Sequence, residues 1–162
     1  MLLQRATSKP RNASGPDLHA HVFLCVMKAA DAFARGAEAL LKTAGLSGTQ
    51  YNVLRILRGA GEHGLACSEV GERLISRDPD ITRLLDRMES RGWIAREREK
   101  KDRRVVKTRI TKEGLRILAG LDAPVRELHR RQLQHLPEKQ LRQLASLLDR
   151  ARASAPSGEC GE

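Results

Sequence analysis

DPDITRLLDRMESRGWIAREREKKDRRVVKTRIT, residues 78 to 111, decides the fold of this chain. Its opening predicts a helix: Asp78 caps the N-terminus, Pro79 suits the first helical position, and Asp80 complements the positive end of the macrodipole. Ile81, Leu84, Leu85 and Met88 recur at helical spacing as one apolar stripe, with Thr82, Arg83, Asp86, Arg87 and Ser90 on the opposite face. One side is built for a core and the other is free for a partner. Arg91 falls in the last turn and Gly92 at the position where a left-handed residue ends a helix. Two extended runs follow, Trp93 to Glu99 and Val105 to Ile110, separated by Lys100, Lys101, Asp102, Arg103 and Arg104. Between Arg83 and Arg109 there are eleven Lys or Arg against five Asp or Glu, a surplus of six out of a net charge of +10. A helix with a cationic face leading into a hairpin with a cationic tip is the arrangement with which a winged helix-turn-helix reads duplex DNA. The helix enters the major groove and the wing follows the backbone and minor groove.

Working outward, 162 residues suit one domain with a real core and appended helices. The residues are 40% hydrophobic but only 2% aromatic, so the core must be Leu, Val, Ile and Ala, which favours helices over a sandwich. A sequence pI near 10.3 draws nucleic acid or an anionic surface, and 22 of the 30 basic residues are Arg, the type that forks onto phosphate and guanine. There is no apolar run of membrane-spanning length and no signal-peptide core, so a cytoplasmic protein without a membrane partner is expected. Cys25, Cys67 and Cys160 are odd in number and far apart, which argues against a disulfide framework and against paired zinc ligands.

Residues 1–16 carry no periodic pattern and read as a flexible basic arm; Arg5, Lys9 and Arg11 could touch phosphate, and a solvated tail is the plainer reading. Asp17 to Lys42 is expected as a long amphipathic helix that ends before Gly45, with Leu18, Val22, Cys25, Val26, Ala29, Phe33, Ala37, Leu40 and Leu41 on one face. His21 and Cys25 lie one turn apart within it, a metal-like spacing with no convincing further ligands, and a buried neutral pair is expected instead. Ser47 and Gln50 form a capping box, with Leu46 stapling to Tyr51. The G-x-G-x-x-G pattern from Gly59 to Gly64 follows a helix rather than a strand, so it reads as a loop and not a dinucleotide site. Cys67 to Ile75 is expected as a short helix with Val70, Leu74 and Ile75 inward, its Gly71 marking a close helix crossing, and Ser76-Arg77 as the turn.

Beyond the hairpin, Thr111 caps a further helix in which Ile110 staples to Leu115, and Leu115, Leu118, Leu121, Val125, Leu128 and Leu133 continue an apolar face that Pro124 should kink or break. After Leu136-Pro137 a last helix, Glu138 to Arg152, carries Leu141, Leu144, Leu147 and Leu148; residues 153–162 read as a flexible tail. The terminal helices hold more Leu than one winged domain covers, so Leu18, Val22, Leu141, Leu144 and Leu148 are expected to interlock with a second copy. The alternative is a monomer that folds them onto its own back. The expected architecture is mainly α with a small β-wing: a winged helix-turn-helix over 46–111, with dimerisation helices over 17–45 and 112–152.

Several fragments, in this order and spacing, resemble one family: Leu46-Ser-Gly-Thr-Gln-Tyr-Asn-Val-Leu54, Asp80-Ile-Thr-Arg-Leu-Leu-Asp-Arg-Met88, Arg91-Gly-Trp-Ile-Ala-Arg96, Asp102-Arg-Arg104 and Ile110-Thr-Lys-Glu-Gly114. From residue 20 to 150 the chain is similar to the MarR family of bacterial transcriptional regulators. The resemblance implies a homodimer on a pseudo-palindromic operator in double-stranded DNA, commonly a repressor, released when a small aromatic or phenolic effector enters. It places Ser76, Arg77, Asp80, Thr82, Arg83, Arg87, Lys101, Asp102, Arg103 and Arg104 against DNA, with Thr82, Arg83 and Arg87 facing the major groove. Asp102 would orient Arg104 in the minor groove, although an aspartate there also suits a turn. The chain departs from the pattern at Trp93, where an aliphatic residue is usual, and at Ala66, where a polar cap is common. Cys25 resembles the reactive thiol of the family's hydroperoxide-sensing branch. That branch activates it with tyrosines, whereas this chain has only Tyr51, so a packed apolar thiol is the competing reading. A winged module that binds protein, or a nonspecific DNA binder, is the remaining alternative. No nucleophile elbow, phosphate loop or metal-ligand spacing stands in the sequence, so neither an enzyme nor a cofactor is expected.

Overall fold

The computed structural model describes residues 17–76, 80–98 and 106–154. Arg77, Asp78, Pro79, Lys101, Asp102, Arg103 and Arg104 lie outside them, as do the basic arm and the tail from residue 155. The chain divides into two compact units, Met1–Arg35 and Gly36–Glu162. In the first, helix α1 (Asp17–Thr43) begins, and its Leu18, Val22, Leu24, Val26 and Met27 are exposed.

In the second unit α1 ends with Leu41 buried. Helix α2 (Gly48–Ala60) then starts on the expected capping box: the Gln50 N–H donates to Ser47 Oγ at 3.2 Å, and Gln50 Oε1 accepts from the Ser47 N–H at 2.9 Å. A 3₁₀ turn, Gly61–His63, leads to the two-residue strand β1 (Leu65–Ala66), which the sequence reading missed. Helix α3 (Cys67–Arg73) has no side-chain cap from Ala66, and the Glu69 carboxylate accepts from the Ala66 N–H at 2.7 Å instead. This helix ends earlier than expected. Leu74 is buried, but Ile75 is 87% exposed rather than inward, and its N–H donates to Asn52 Oδ1 at 3.0 Å, which pins the turn to α2.

Helix α4 (Ile81–Ser90) is capped by Asp80, not Asp78: Asp80 Oδ1 accepts from the Arg83 N–H at 3.3 Å. At its other end Gly92 has φ 71°, the Gly92 N–H donates to Glu89 O at 2.8 Å, and the Trp93 N–H to Met88 O at 3.1 Å. That pair is the Schellman arrangement, which explains the glycine. Strands β2 (Ile94–Arg98) and β3 (Val106–Ile110) pair antiparallel from Ile94 with Ile110 to Arg98 with Val106, and β1 joins the other edge of β3.

Helix α5 (Lys112–Leu133) continues through Pro124, so of the kink or break expected there the break does not occur. Its Leu118, Leu121 and Val125 are buried with Val53, Leu54, Leu57, Val70, Leu84, Leu85 and Met88, so this half of the helix closes the winged unit's own core. Leu115, expected inward, is 41% exposed. Arg58 and Asp122 clamp α2 to α5 through two hydrogen bonds of 2.8 and 3.0 Å, which hold the Asp122 carboxyl below its ordinary range. Helix α6 (Glu138–Ala153) buries none of its residues.

A further expectation fails at Gly71. A Cβ there would meet nothing within 4 Å among the described residues, so no close helix crossing requires the glycine. Gly71→Ala should therefore stabilise the protein by about 0.5–1 kcal/mol through helix propensity and a less entropic unfolded chain. That raises the melting temperature by about 1–4 °C, as read by thermal unfolding; a decrease would show that the added methyl group meets a neighbour there.

Candidate nucleic-acid interface

The surface is built around α4. Leu84, Leu85 and Met88 fix one side in the core, all at or below 3% exposed, so the helix cannot roll. Rotation fixed in this way leaves Thr82, Arg83, Asp86 and Arg87 outward, and Ser76 is exposed in the turn before. Arg83 Nε lies 3.2 Å from Asp80 Oδ2, so Asp80 serves both as cap and as counter-ion. Thr82 Oγ1 lies 3.9 Å from Cys67 Sγ at the start of α3. Such a face offers two guanidinium forks and a hydroxyl at the spacing of successive base edges or of a base and a phosphate.

A brace behind this face was not read from the sequence. Arg96 on β2 donates from Nε to Glu89 Oε2 at 2.9 Å and from Nη2 to the same oxygen at 2.6 Å, while its backbone N–H donates to Glu89 Oε1 at 3.0 Å. The same Nη2 reaches Asp86 Oδ1 at 2.5 Å. Hydrogen bonding from Arg96 holds the Glu89 carboxyl below the ordinary carboxylate range, so the brace is ionised at neutral pH. The signal was present in strand alternation: Ile94 is buried, and Arg96, two residues on, must share its face. Arg91 adds a second tie, its guanidinium 4.8 Å from the Trp93 ring centre and its Nη1 donating to Gly45 O at 3.2 Å. The unusual Trp93 is thus a buried platform for a helix-end arginine.

Near the base of the hairpin, where it stands opposite Ala95, Arg109 donates from Nε to Glu62 O at 2.6 Å and pairs with Glu97 at 2.8 Å. The wing tip itself, with the expected Asp102–Arg104 pair, falls outside the described residues.

Cys25 and His21 are not a buried pair. Both are exposed, with Sγ and Nε2 3.6 Å apart, and among the described residues no group of three or more potential ligands could hold a metal. No helix among those residues is long and apolar enough to cross a membrane.

Residues 46–106 match the MarR family model. The chain is 33% identical over 144 residues to the HTH-type transcriptional regulator TtmR of Methylorubrum extorquens, covering 88% of this chain and 73% of that protein. It is 31% identical over 117 residues to the HTH-type transcriptional repressor IacR of Pseudomonas putida, covering 72% and 69% respectively. Among solved structures, a MarR transcription factor from Planctomyces limnophilus superposes with a TM-score of 0.63 at 36% identity, over 86% of this chain and 98% of that one. The buried helix stripe, the three-stranded wing sheet and these relatives agree: this chain belongs to the MarR family of DNA-binding transcriptional regulators.

Proposed function

We propose that the protein is a repressor that binds a pseudo-palindromic operator as a homodimer, each copy placing α4 in the major groove and its hairpin tip along the flanking backbone and minor groove. The observation that carries this reading is α4 itself: one side is wholly buried, and the opposite side presents Thr82, Arg83 and Arg87. Arg77, Lys101 and Arg103 would extend the contact to phosphate, with Asp102 orienting Arg104 in the minor groove. The dimer is supported by apolar surface that a single chain leaves in water. Leu144, Leu147 and Leu148 are exposed on α6, and Leu18, Val22, Leu24, Val26 and Met27 on α1. A second copy of the chain is the partner that would cover such stripes. Repression accords with the name of the IacR relative, a transcriptional repressor. Release by a small aromatic or phenolic effector completes the reading by resemblance to the family.

Selection from randomised duplexes followed by footprinting tests it. The expected product is an inverted repeat with half-sites about 10 bp apart, protected on both halves, and a stoichiometry of two chains per duplex. Protection of a single half-site, or saturation by one chain, contradicts the dimeric reading.

A further inference from the structure

An acidic side chain stands on the surface that should meet phosphate. Asp86 lies on α4 three residues after Arg83 and one before Arg87, and its side chain is 52% exposed. Left alone, that carboxylate would repel the DNA backbone, and at the i, i+3 spacing it would compete for the Arg83 guanidinium. Neither follows while Arg96 holds it. The Arg96 side chain is only 25% exposed, and Glu89 fixes it at Nε, at Nη2 and through its backbone N–H. The guanidinium is therefore held in place, with Nη2 directed at Asp86 Oδ1, 2.5 Å away.

We propose that Arg96 is a positioning residue for DNA reading, a built-in counter-ion that holds Asp86 against β2 and leaves Arg83 and Arg87 to the nucleic acid. An exposed ion pair contributes little to stability, so the consequence of this one lies in which charges α4 presents. The role rests on the reading of α4 as the DNA-facing helix. It also gives the wing a means of acting on the helix, because any shift of β2 that withdraws Arg96 returns a negative charge to the reading surface.

The test is a double-mutant cycle with a labelled operator duplex selected on the parent protein. Arg96→Ala should weaken binding at least tenfold in the parent background and less than twofold in an Asp86→Asn background. Glu89→Gln, which loosens Arg96, should give a smaller loss that Asp86→Asn also suppresses. The salt dependence of Arg96→Ala should be shallower by about one phosphate contact, and Asp86→Asn should restore it. Circular dichroism fixes the folded fraction of each variant, and if Arg96→Ala does not fold, Arg96→Gln takes its place in the cycle. Equal losses in both backgrounds, tracking the fall in melting temperature, would reduce Arg96 to a structural residue and overturn the proposal. A folded parent that binds no duplex would overturn the reading of α4 on which it rests.

Discussion

Gly114→Ala is expected to cost about 3 kcal/mol of stability, the upper range for forcing an extra methyl group into a packed site. A Cβ built on Gly114 would lie 2.3 Å from Trp93 O and 2.8 Å from Ile110 Cγ1. The carbonyl cannot retreat, because it accepts from the Thr111 N–H at 3.1 Å and from Thr111 Oγ1 at 3.0 Å. The same hydroxyl accepts from the Gly114 N–H at 3.1 Å and so caps α5. One methyl group would therefore strain the helix cap and the junction of β2 with β3 together. Thermal unfolding should show a fall of about 6–12 °C. Gly120→Ala on the same helix is the control, since a Cβ there meets nothing within 4 Å among the described residues. If both variants melt alike, the close approach of α5 to the Trp93 carbonyl is wrong. The Thr111 to Gly114 spacing, which the sequence marks as family-like, thus has a steric cause.

What the sequence could show was local. The stripe Leu84, Leu85, Met88, the Ser47–Gln50 box and the glycine at 92 are each specified within one or two helical turns, and each stands as expected. What it could not show was pairing across the chain. Strand alternation sets the face on which Arg96 lies, but its partners stand seven and ten residues earlier, across a helix end and a turn, and no periodicity encodes which they are. Strand β1 is two residues long, too short for alternation, and exists because β3 offers it an edge. Gly71 and Ile75 misled for a related reason. A glycine in a helix signals close packing only if a neighbour arrives, and an isoleucine after the last helical turn has no periodic neighbour to fix its side. Pro124 sits within a continuous α5 because burial of Leu118, Leu121 and Val125 on either side holds the helix against the core. Of the proposed DNA-contacting residues, the helix set was readable because Arg83 and Arg87 oppose an apolar stripe, whereas their availability depends on Asp80, Asp86 and Arg96, which only the fold brings into relation.

The largest functional effect is expected from removing both guanidinium groups of α4. Arg83→Ala and Arg87→Ala should each weaken operator binding by about 1–3 kcal/mol if the side chain contacts a base edge. The double variant should lose roughly a hundredfold or more, short of full additivity because the two residues share one helical turn. The two single effects should differ. Arg83 must leave Asp80, 3.2 Å away, before it can meet DNA, and an exposed pair of that kind offsets up to about 1 kcal/mol of the gain. Arg87 has no such partner among the described residues, so its loss should be the larger of the two. Site selection repeated with each variant separates base from phosphate. A base contact relaxes preference at one or two positions, whereas a phosphate contact leaves preference intact and reduces the salt slope by about one. A double variant that still binds the parent's operator with the parent's affinity would remove α4 from the major groove, and the reading surface would then have to be sought on another element.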